Sequence, residues 1–228
     1  TTGTCATAAT VAAVWKALDD NTPDTFPVLL PDGEILTIPA RPTERILSAD
    51  GKTVVASAFT VKDAGDDPDI TNGMTIEARV TLHLSSAATS TTPLSIHIDG
   101  GCGVGRVTLP GLGIEVGQAA INATPRRMIE NSIRHLLQSL PMRSNPVSID
   151  VLISVPGGEE IARRTFNPRL GIEGGISIIG TSGIVKPFST DAFIRSIAKS
   201  MEVRENARTK NHQPSHFNVV SFFHLHKT

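Results

Sequence analysis

Residues 74–84 read MTIEARVTLHL, and this stretch decides the fold class. Apolar side chains at every second position, from Met74 to Leu84, alternate with polar ones such as Glu77 and Arg79. Successive side chains of a β-strand point to opposite faces, so a period of two predicts a strand with one buried face. The same alternation returns at 94–98 and 147–155, and a β-branched run covers 53–61. We therefore expect a mixed or antiparallel sheet.

Helical patterns flank these strands. Apolar residues spaced i, i+3, i+4 and i+7 from Val11 to Leu18 predict an N-terminal helix with one apolar stripe. Thr124 as cap and Pro125 at the first helical position predict a second helix that runs to Leu140. A last helix is predicted from Ser189. Few helices among strands joined by short turns indicate the α+β class, arranged as a layered α/β sandwich.

Composition excludes several functional classes. The 228 residues are 39% hydrophobic and 19% charged, which is typical of a folded domain with a sizeable core. Lys and Arg number 21 against 22 Asp and Glu, and aromatic residues reach only 4%, so we expect no nucleic-acid partner. No apolar run approaches about 18 residues, so we expect no membrane partner. Two cysteines form no framework, which favours a cytoplasmic protein.

Two segments are rich in glycine. Residues 100–106 read GGCGVGR after a predicted strand, and residues 171–183 read GIEGGISIIGTSG. Glycine permits positive φ and close approach of the backbone to a ligand, and exposed N–H groups bind anions. A tight turn or a bulge is the structural alternative for both. The first segment is not a dinucleotide fingerprint, because Arg106 stands where its last glycine is required.

Charged residues suggest two further features. Asp63, Asp66, Asp67 and Asp69 could hold a cation or a ribose, although their spacing fits no calcium loop and a solvated loop is the alternative. Arg126 and Arg127 fall in the first turn of a predicted helix, where cations oppose the helix dipole. Either an anion lies nearby or both arginines are solvated.

The chain also resembles a known family. The segments that carry the resemblance occur in the family's order, and the resemblance covers about residues 1 to 208. The segments are 1–6, 61–73, 100–108, 110–113, 120–122, 165–172 and 174–185. They resemble the CbiD family, the cobalt-precorrin-5B C1-methyltransferase of anaerobic cobalamin biosynthesis.

This resemblance implies methyl transfer from S-adenosylmethionine to ring carbon C-1 of a cobalt-corrinoid substrate. The cobalt arrives with the substrate, so no metal site of the protein is expected. The implied catalytic candidates are Asp63, Asp66 and Asp67. The implied substrate- or cofactor-binding residues are Thr2, Gly3, Thr4, Gly101, Gly103, Gly105, Arg106, Asn167, Arg169, Gly174, Gly175, Thr181 and Ser182.

The resemblance also implies a domain organisation. Residues 1–188 correspond to the family's N-terminal α+β domain, and 189–210 to a helix that leads into a second, Rossmann-like domain. Residues 211–228 do not resemble that domain, so most of it is expected to be missing. The alternative function is therefore an inactive fragment or a non-catalytic module that binds an anionic tetrapyrrole. A metabolite kinase ranks last, because the glycine-rich phosphate motif is absent. The oligomeric state stays open.

Overall fold

The computed structural model describes residues 1–85, 93–140, 146–180 and 182–184. Thr181, the helix predicted from Ser189 and both domain boundaries predicted beyond it lie outside these residues. The predicted α+β class is confirmed in the described part of the chain, which combines a mixed five-stranded sheet with few helices.

The stretch at 74–84 forms the central strand of the sheet. Its apolar side chains Ile76, Ala78, Val80 and Leu82 are all buried, as the alternation predicts. The strand order is β3-β4-β5-β8-β6, and all neighbours are antiparallel except β6 and β8, which run parallel. The bounds are Arg41–Leu47 for β3, Thr53–Val61 for β4, Thr75–Leu84 for β5, Ser95–Gly100 for β6 and Pro146–Ser154 for β8.

Helix α1, Thr2–Leu18, covers the buried face of the sheet. Its alanines let the helix axis approach β4 and β5 closely, since they add little volume. A second layer packs on the opposite side of α1: helix α2, Ala123–Ser139, and the hairpin of β1, Thr25–Leu29, with β2, Ile35–Pro39. The predicted single apolar stripe is therefore wrong, because α1 is buried nearly all round by these two layers.

Several details differ from the sequence prediction. Helix α2 begins at Ala123 with Asn122 as its N-cap, rather than with Thr124, because the Arg126 N–H already donates to the Asn122 carbonyl. Strand β3 was not predicted, since it is an edge strand whose side chains are mostly exposed and show no alternation. The short elements β7, Arg106–Val107, α3, Gly158–Ala162, and β9, Ile172–Glu173, lack a readable period. None of the described helices is long and apolar enough to cross a membrane.

Candidate functional site

Two of the segments that carry the resemblance meet at the N-terminal end of α1, and the charges of a third act on it. The Gly3 N–H donates to the Ile179 carbonyl at 3.2 Å, and the Thr4 hydroxyl donates to the Gly183 carbonyl. The loop between β4 and β5 supplies the third segment, since the charge of Lys62 acts on the Cys5 thiol. We call residues 174–183, without Thr181, the glycine strap.

The glycine strap also joins the other glycine-rich segment. The Ile176 N–H donates to the Gly103 carbonyl at 2.9 Å, and the Gly105 N–H donates to the Ile176 carbonyl at 2.9 Å. Further along, the Ile178 N–H donates to the Ala120 carbonyl at 2.8 Å. The two glycine-rich segments therefore lie side by side, and the strap runs from them to the N-terminus of α1.

Close packing explains several of these glycines. Gly103 has a φ of +71°, and a Cβ added there would lie 2.9 Å from the Val155 carbonyl carbon and 3.0 Å from the Gly158 nitrogen. A Cβ on Gly105 would lie 2.8 Å from the Gly175 carbonyl oxygen. Backbone meets backbone here, so these positions exclude any side chain. Ligand contact through Gly103, Gly105 and Gly175 stays a prediction.

The remaining glycines of the candidate set differ in exposure. Gly174 has a φ of +77° and open space where a Cβ would be, and it is exposed. Gly101 is half-buried, and a Cβ there would lie 2.5 Å from the Ser154 hydroxyl oxygen. Gly174 is thus the glycine of the strap that a large ligand could reach most directly.

The acidic loop between β4 and β5 is closed by its own hydrogen bonds. The Lys62 N–H donates to the Met74 carbonyl at 2.9 Å, and the Gly73 N–H returns to the Lys62 carbonyl at 2.8 Å. The Asp63 carboxylate accepts from the Gly65 N–H at 2.8 Å. The side chains of the three catalytic candidates, Asp63, Asp66 and Asp67, are exposed or half-buried. The loop therefore presents three carboxylates to solvent from a fixed base.

Sequence reasoning missed the group that anchors this loop. The Lys62 side chain is only 1% exposed, and its ammonium donates to Asp69 and, at 2.5 Å, to the Thr71 hydroxyl. Asp69 also accepts from the Thr71 N–H and hydroxyl at 2.8 and 2.6 Å. Burial acts to raise the pKa of Asp69, but the hydrogen bonds from Lys62 and Thr71 outweigh it, so the pKa is lowered. The sequence feature that could have indicated this buried lysine is its position directly after the apolar strand 53–61.

Cys5 lies beside this anchor. Its side chain is buried, and burial raises the pKa of its thiol. The charges of Lys62, Asp63 and Asp69 also act on that pKa, the first lowering it and the other two raising it. One face of α1 therefore looks onto the base of the acidic loop.

Arg106 is engaged by a neighbouring carboxylate. Its guanidinium donates to both oxygens of Asp99, at 2.6 and 3.0 Å, and to the Gly100 carbonyl at 2.7 Å. The hydrogen bonds from Arg106 lower the pKa of Asp99. Both side chains are about half exposed, so this pair adds little stability. A substrate carboxylate at Arg106 would compete with Asp99.

Two of the other candidate residues, Asn167 and Arg169, lie in the 3₁₀ turn Asn167–Leu170, and Ser182 lies in the glycine strap. The Asn167 amide donates to the Gly175 carbonyl at 3.2 Å and accepts from the Ser177 hydroxyl at 3.2 Å, so it holds the strap. Arg169 is exposed, with its guanidinium carbon 5.8 Å from the Phe166 ring centroid. The Ser182 hydroxyl donates to the Ile184 carbonyl at 3.1 Å. Arg169 is the charged residue of these three, and its exposed guanidinium has no ion-pair partner among the described residues.

Arg126 is half-buried, and the nearby anionic groups that act on its charge are the carboxylates of Asp99 and Glu130. Its guanidinium donates to the carbonyls of Ile98 at 2.7 Å, Ile121 at 2.9 Å and Ala119 at 3.4 Å. Burial lowers the pKa of this half-buried group, although a guanidinium stays charged. Arg126 therefore ties α2 to the end of β6 and to the segment that pairs with the glycine strap.

Replacing Arg126 with methionine is expected to lower the free energy of unfolding by about 2–3 kcal/mol, because three carbonyls lose a charged donor. Chemical denaturation measures this change. Arg127→Met is the matched control: Arg127 is exposed, its one described hydrogen bond goes to Thr124 within the same helix, and a change within about 0.5 kcal/mol is expected. Equal losses of stability in Arg126→Met and Arg127→Met would contradict a structural role for the hydrogen bonds of Arg126.

A hollow of about 330 Å³ lies on the other face of the sheet. Arg79, His97 and Asp150 are among its lining residues, and His83 Nε2 lies 3.1 Å from a carboxylate oxygen of Asp150. None of the residues predicted for the site lines this hollow. The candidate site is therefore the α1 N-terminus with the acidic loop and the strap, not the outer sheet face.

Comparison with known proteins gives one consistent result. The sequence model of the family described as CbiD matches residues 1–187. A protein of Geobacillus thermodenitrificans (strain NG80-2) named cobalt-precorrin-5B C(1)-methyltransferase is 46% identical over 203 residues, which are 89% of this chain and 50% of that protein. A protein of the same name from Prosthecochloris aestuarii is 45% identical over 207 residues, 91% of this chain and 52% of that protein.

A solved structure is also similar. It is the 1.9 Å crystal structure of the cobalamin biosynthesis protein (cbiD) from Archaeoglobus fulgidus, with 28% sequence identity and a TM-score of 0.54. The alignment covers 88% of this chain and 57% of that one. This chain spans about half the length of the curated relatives it matches.

Proposed function

The chain belongs to the CbiD family, and from that membership we propose that it takes part in S-adenosylmethionine-dependent methylation of C-1 of cobalt-precorrin-5B. The observation that carries the proposal is the 46% identity, over 89% of the chain, to a relative with that named activity. The meeting of two family-like segments at the N-terminus of α1, near the charges of a third, supports a site there.

The acidic loop suits a cationic methyl donor. S-adenosylmethionine, when bound, supplies a methyl group already activated on a sulfonium, which departs as a neutral thioether. The carboxylates of Asp63 and Asp66, which are exposed, and of Asp67, which is half-buried, fit its positive charges. In this proposal these side chains orient the donor, and one of them accepts the proton that the ring releases. Orientation of the two reactants can contribute up to about 7–11 kcal/mol to lowering the barrier.

Exposed arginines suit the polycarboxylate substrate. Arg163, Arg164 and Arg169 fall within seven residues, all are exposed, and none has an ion-pair partner among the described residues. Guanidinium groups form bidentate bonds to carboxylates, and a corrinoid precursor carries many acetate and propionate groups. We assign these three arginines to substrate recognition. Sequence reasoning named only Arg169 among them.

We propose the cytoplasm as the compartment of the reaction. The two free thiols, Cys5 and Cys102, are compatible with a reducing compartment. This proposal about the compartment depends on the proposed methylation, because the substrate of the methylation is a biosynthetic intermediate. If the methylation is not observed, the compartment proposal is withdrawn.

Incubation of the 228-residue protein with methyl-labelled S-adenosylmethionine and cobalt-precorrin-5B tests the proposal. We expect label in the corrinoid, and about a hundredfold slower transfer by the triple variant Asp63→Asn, Asp66→Asn, Asp67→Asn, because the ligands lose their orientation. Asp32→Asn, in the β1–β2 turn, is the matched control, since Asp32 also accepts a backbone N–H two residues on.

A second function competes with this one. The exposed guanidinium groups of Arg163, Arg164 and Arg169 would equally serve a module that binds an anionic tetrapyrrole without turnover. Corrinoid binding without label transfer would support this module. Label transfer with equal rates for the triple variant and Asp32→Asn would instead contradict the role of the acidic loop.

A further inference from the structure

The hollow on the outer face of the sheet has the size of a small-molecule site. Its volume of about 330 Å³ lies within the range of about 300–1,000 Å³ that is typical of ligand pockets. It lies over the three strands β5, β8 and β6. The side chains that line it on these strands are Arg79, Thr81, Asp150, Leu152, His97 and Asp99.

The register of the strands arranges these side chains in two rows. The first row is Thr81, Asp150 and His97, and the second is Arg79, Leu152 and Asp99. Neighbouring strands lie about 4.8 Å apart, so each row is about 10 Å wide. A small molecule above the middle strand, β8, is therefore within reach of side chains from both flanking strands.

The two carboxylates that line the hollow already have partners. The Asp99 carboxylate accepts from the Arg106 guanidinium at 2.6 and 3.0 Å. One oxygen of Asp150 lies 3.1 Å from His83 Nε2. Arg106 and His83 are not among the residues that line the hollow, so both carboxylates are held from outside it. The carboxylates therefore do not engage the cation inside the hollow.

That cation is Arg79. It is exposed, and its guanidinium makes no hydrogen bond or ion pair with any residue of the described ranges. The same holds for the His97 ring on the other side of the hollow. Leu152, next to Arg79 in the second row, is 39% exposed. A guanidinium with all its donors unused thus lies beside an uncovered apolar side chain.

We propose that this hollow binds a small organic monocarboxylate with an apolar body. The Arg79 guanidinium donates two parallel N–H bonds to the ligand carboxylate, and the apolar body covers Leu152. A phosphate monoester carries up to two negative charges, so Asp99 and Asp150 repel it more strongly than they repel a carboxylate. This second site goes beyond the proposed methylation and does not depend on it.

An NMR titration of the isotopically labelled 228-residue protein with benzoate tests this site. We expect benzoate to shift the backbone amide signals of β5, β8 and β6 around the hollow. Benzyl alcohol, which is neutral, is expected to bind about tenfold more weakly, because it loses the hydrogen bonds between two charged groups. Phenyl phosphate is expected to bind about threefold more weakly than benzoate, because of the two carboxylates.

Variants of the lining residues test the roles of the guanidinium and the apolar side chain. Arg79→Met is expected to weaken benzoate binding about tenfold, and Leu152→Ser about threefold. Arg41→Met is the matched control, since Arg41 is an exposed arginine of strand β3 that does not line the hollow, and a change of less than twofold is expected. Thermal melting checks that each variant folds. Arg79→Lys, which keeps the charge but not the planar fork, is expected to bind with intermediate affinity.

Each contrary result has a distinct meaning. Absence of benzoate-dependent shifts around the hollow would overturn the site. Equal affinities of benzoate and benzyl alcohol, or of Arg79→Met and Arg41→Met for benzoate, would overturn the pairing of Arg79 with a carboxylate. Tighter binding of phenyl phosphate than of benzoate would overturn the monocarboxylate class. None of these results bears on methyl transfer, which the labelling experiment measures separately.

Discussion

Replacing Gly103 with alanine is expected to lower the free energy of unfolding by about 3 kcal/mol or more. Two costs combine at this position. The φ of +71° is strained for any residue with a Cβ, and that Cβ would overlap the carbonyl group of Val155 and crowd the Gly158 nitrogen. Neither neighbour is the flexible end of a side chain, so the backbone itself must move. Urea denaturation measures the loss.

Gly113→Ala separates the two costs. Gly113 has nearly the same φ, +72°, but nothing lies within 4 Å of its added Cβ. A loss of about 1 kcal/mol is expected there, from the backbone conformation alone. If Gly103→Ala and Gly113→Ala lost equal stability, the close packing of Gly103 against the segment 155–158 would be refuted.

Replacing Asp69 with asparagine is expected to destabilise the fold by about 3–5 kcal/mol at neutral pH. The change leaves the Lys62 ammonium, 1% exposed, without its counter-charge. Lys62→Met is expected to cost less, because Asp69 keeps 27% of its side chain in contact with solvent. In the double variant Lys62→Met, Asp69→Asn no charge is buried, so it should be more stable than Asp69→Asn alone.

The pH dependence has a definite sign. The pKa of Asp69 is lowered in the folded state, so its ion pair stabilises the protein above the unfolded pKa of about 3.9. That stabilisation disappears as the pH falls through the folded pKa. The stability difference between the wild type and Asp69→Asn should therefore shrink below about pH 3.9. A difference that stays constant from pH 7 to pH 3 would contradict a charged Asp69 in the fold.

The alternation of apolar and polar residues predicted the sheet, because a strand that buries one face has apolar residues at every second position. The strands at 53–61 and 75–84 have the bounds that alternation and β-branching indicate. Edge strand β3 leaves no such trace, since neither of its faces is well covered. The surroundings of α1 could not be predicted either, because alanine tolerates both burial and exposure.

The sequence predicted which segments belong to the candidate site but not which of their residues contact one another. Glycine density correctly marks places of close approach, but composition does not say whether a ligand or another backbone approaches. At Gly103 it is backbone, and at Gly105 it is the Ile172 side chain together with the carbonyl oxygens of Gly175 and Glu173. Burial of Lys62 depends on Asp69 and Thr71, which lie seven and nine residues away, and no periodic pattern reports such a pairing.

The glycine strap limits how the gene can change in length. Ile176 and Ile178 bond to two different segments in alternate-residue register, and Gly183 accepts from α1 a few residues later. Deleting one codon between them would turn every later side chain to the opposite side and break contacts with both partners. The turn at Pro31–Gly33 is not held between two partner segments in this way. A Cβ added at Gly33 would have nothing within 4 Å. Insertions and deletions during evolution should therefore accumulate in that hairpin turn and be purged from the strap.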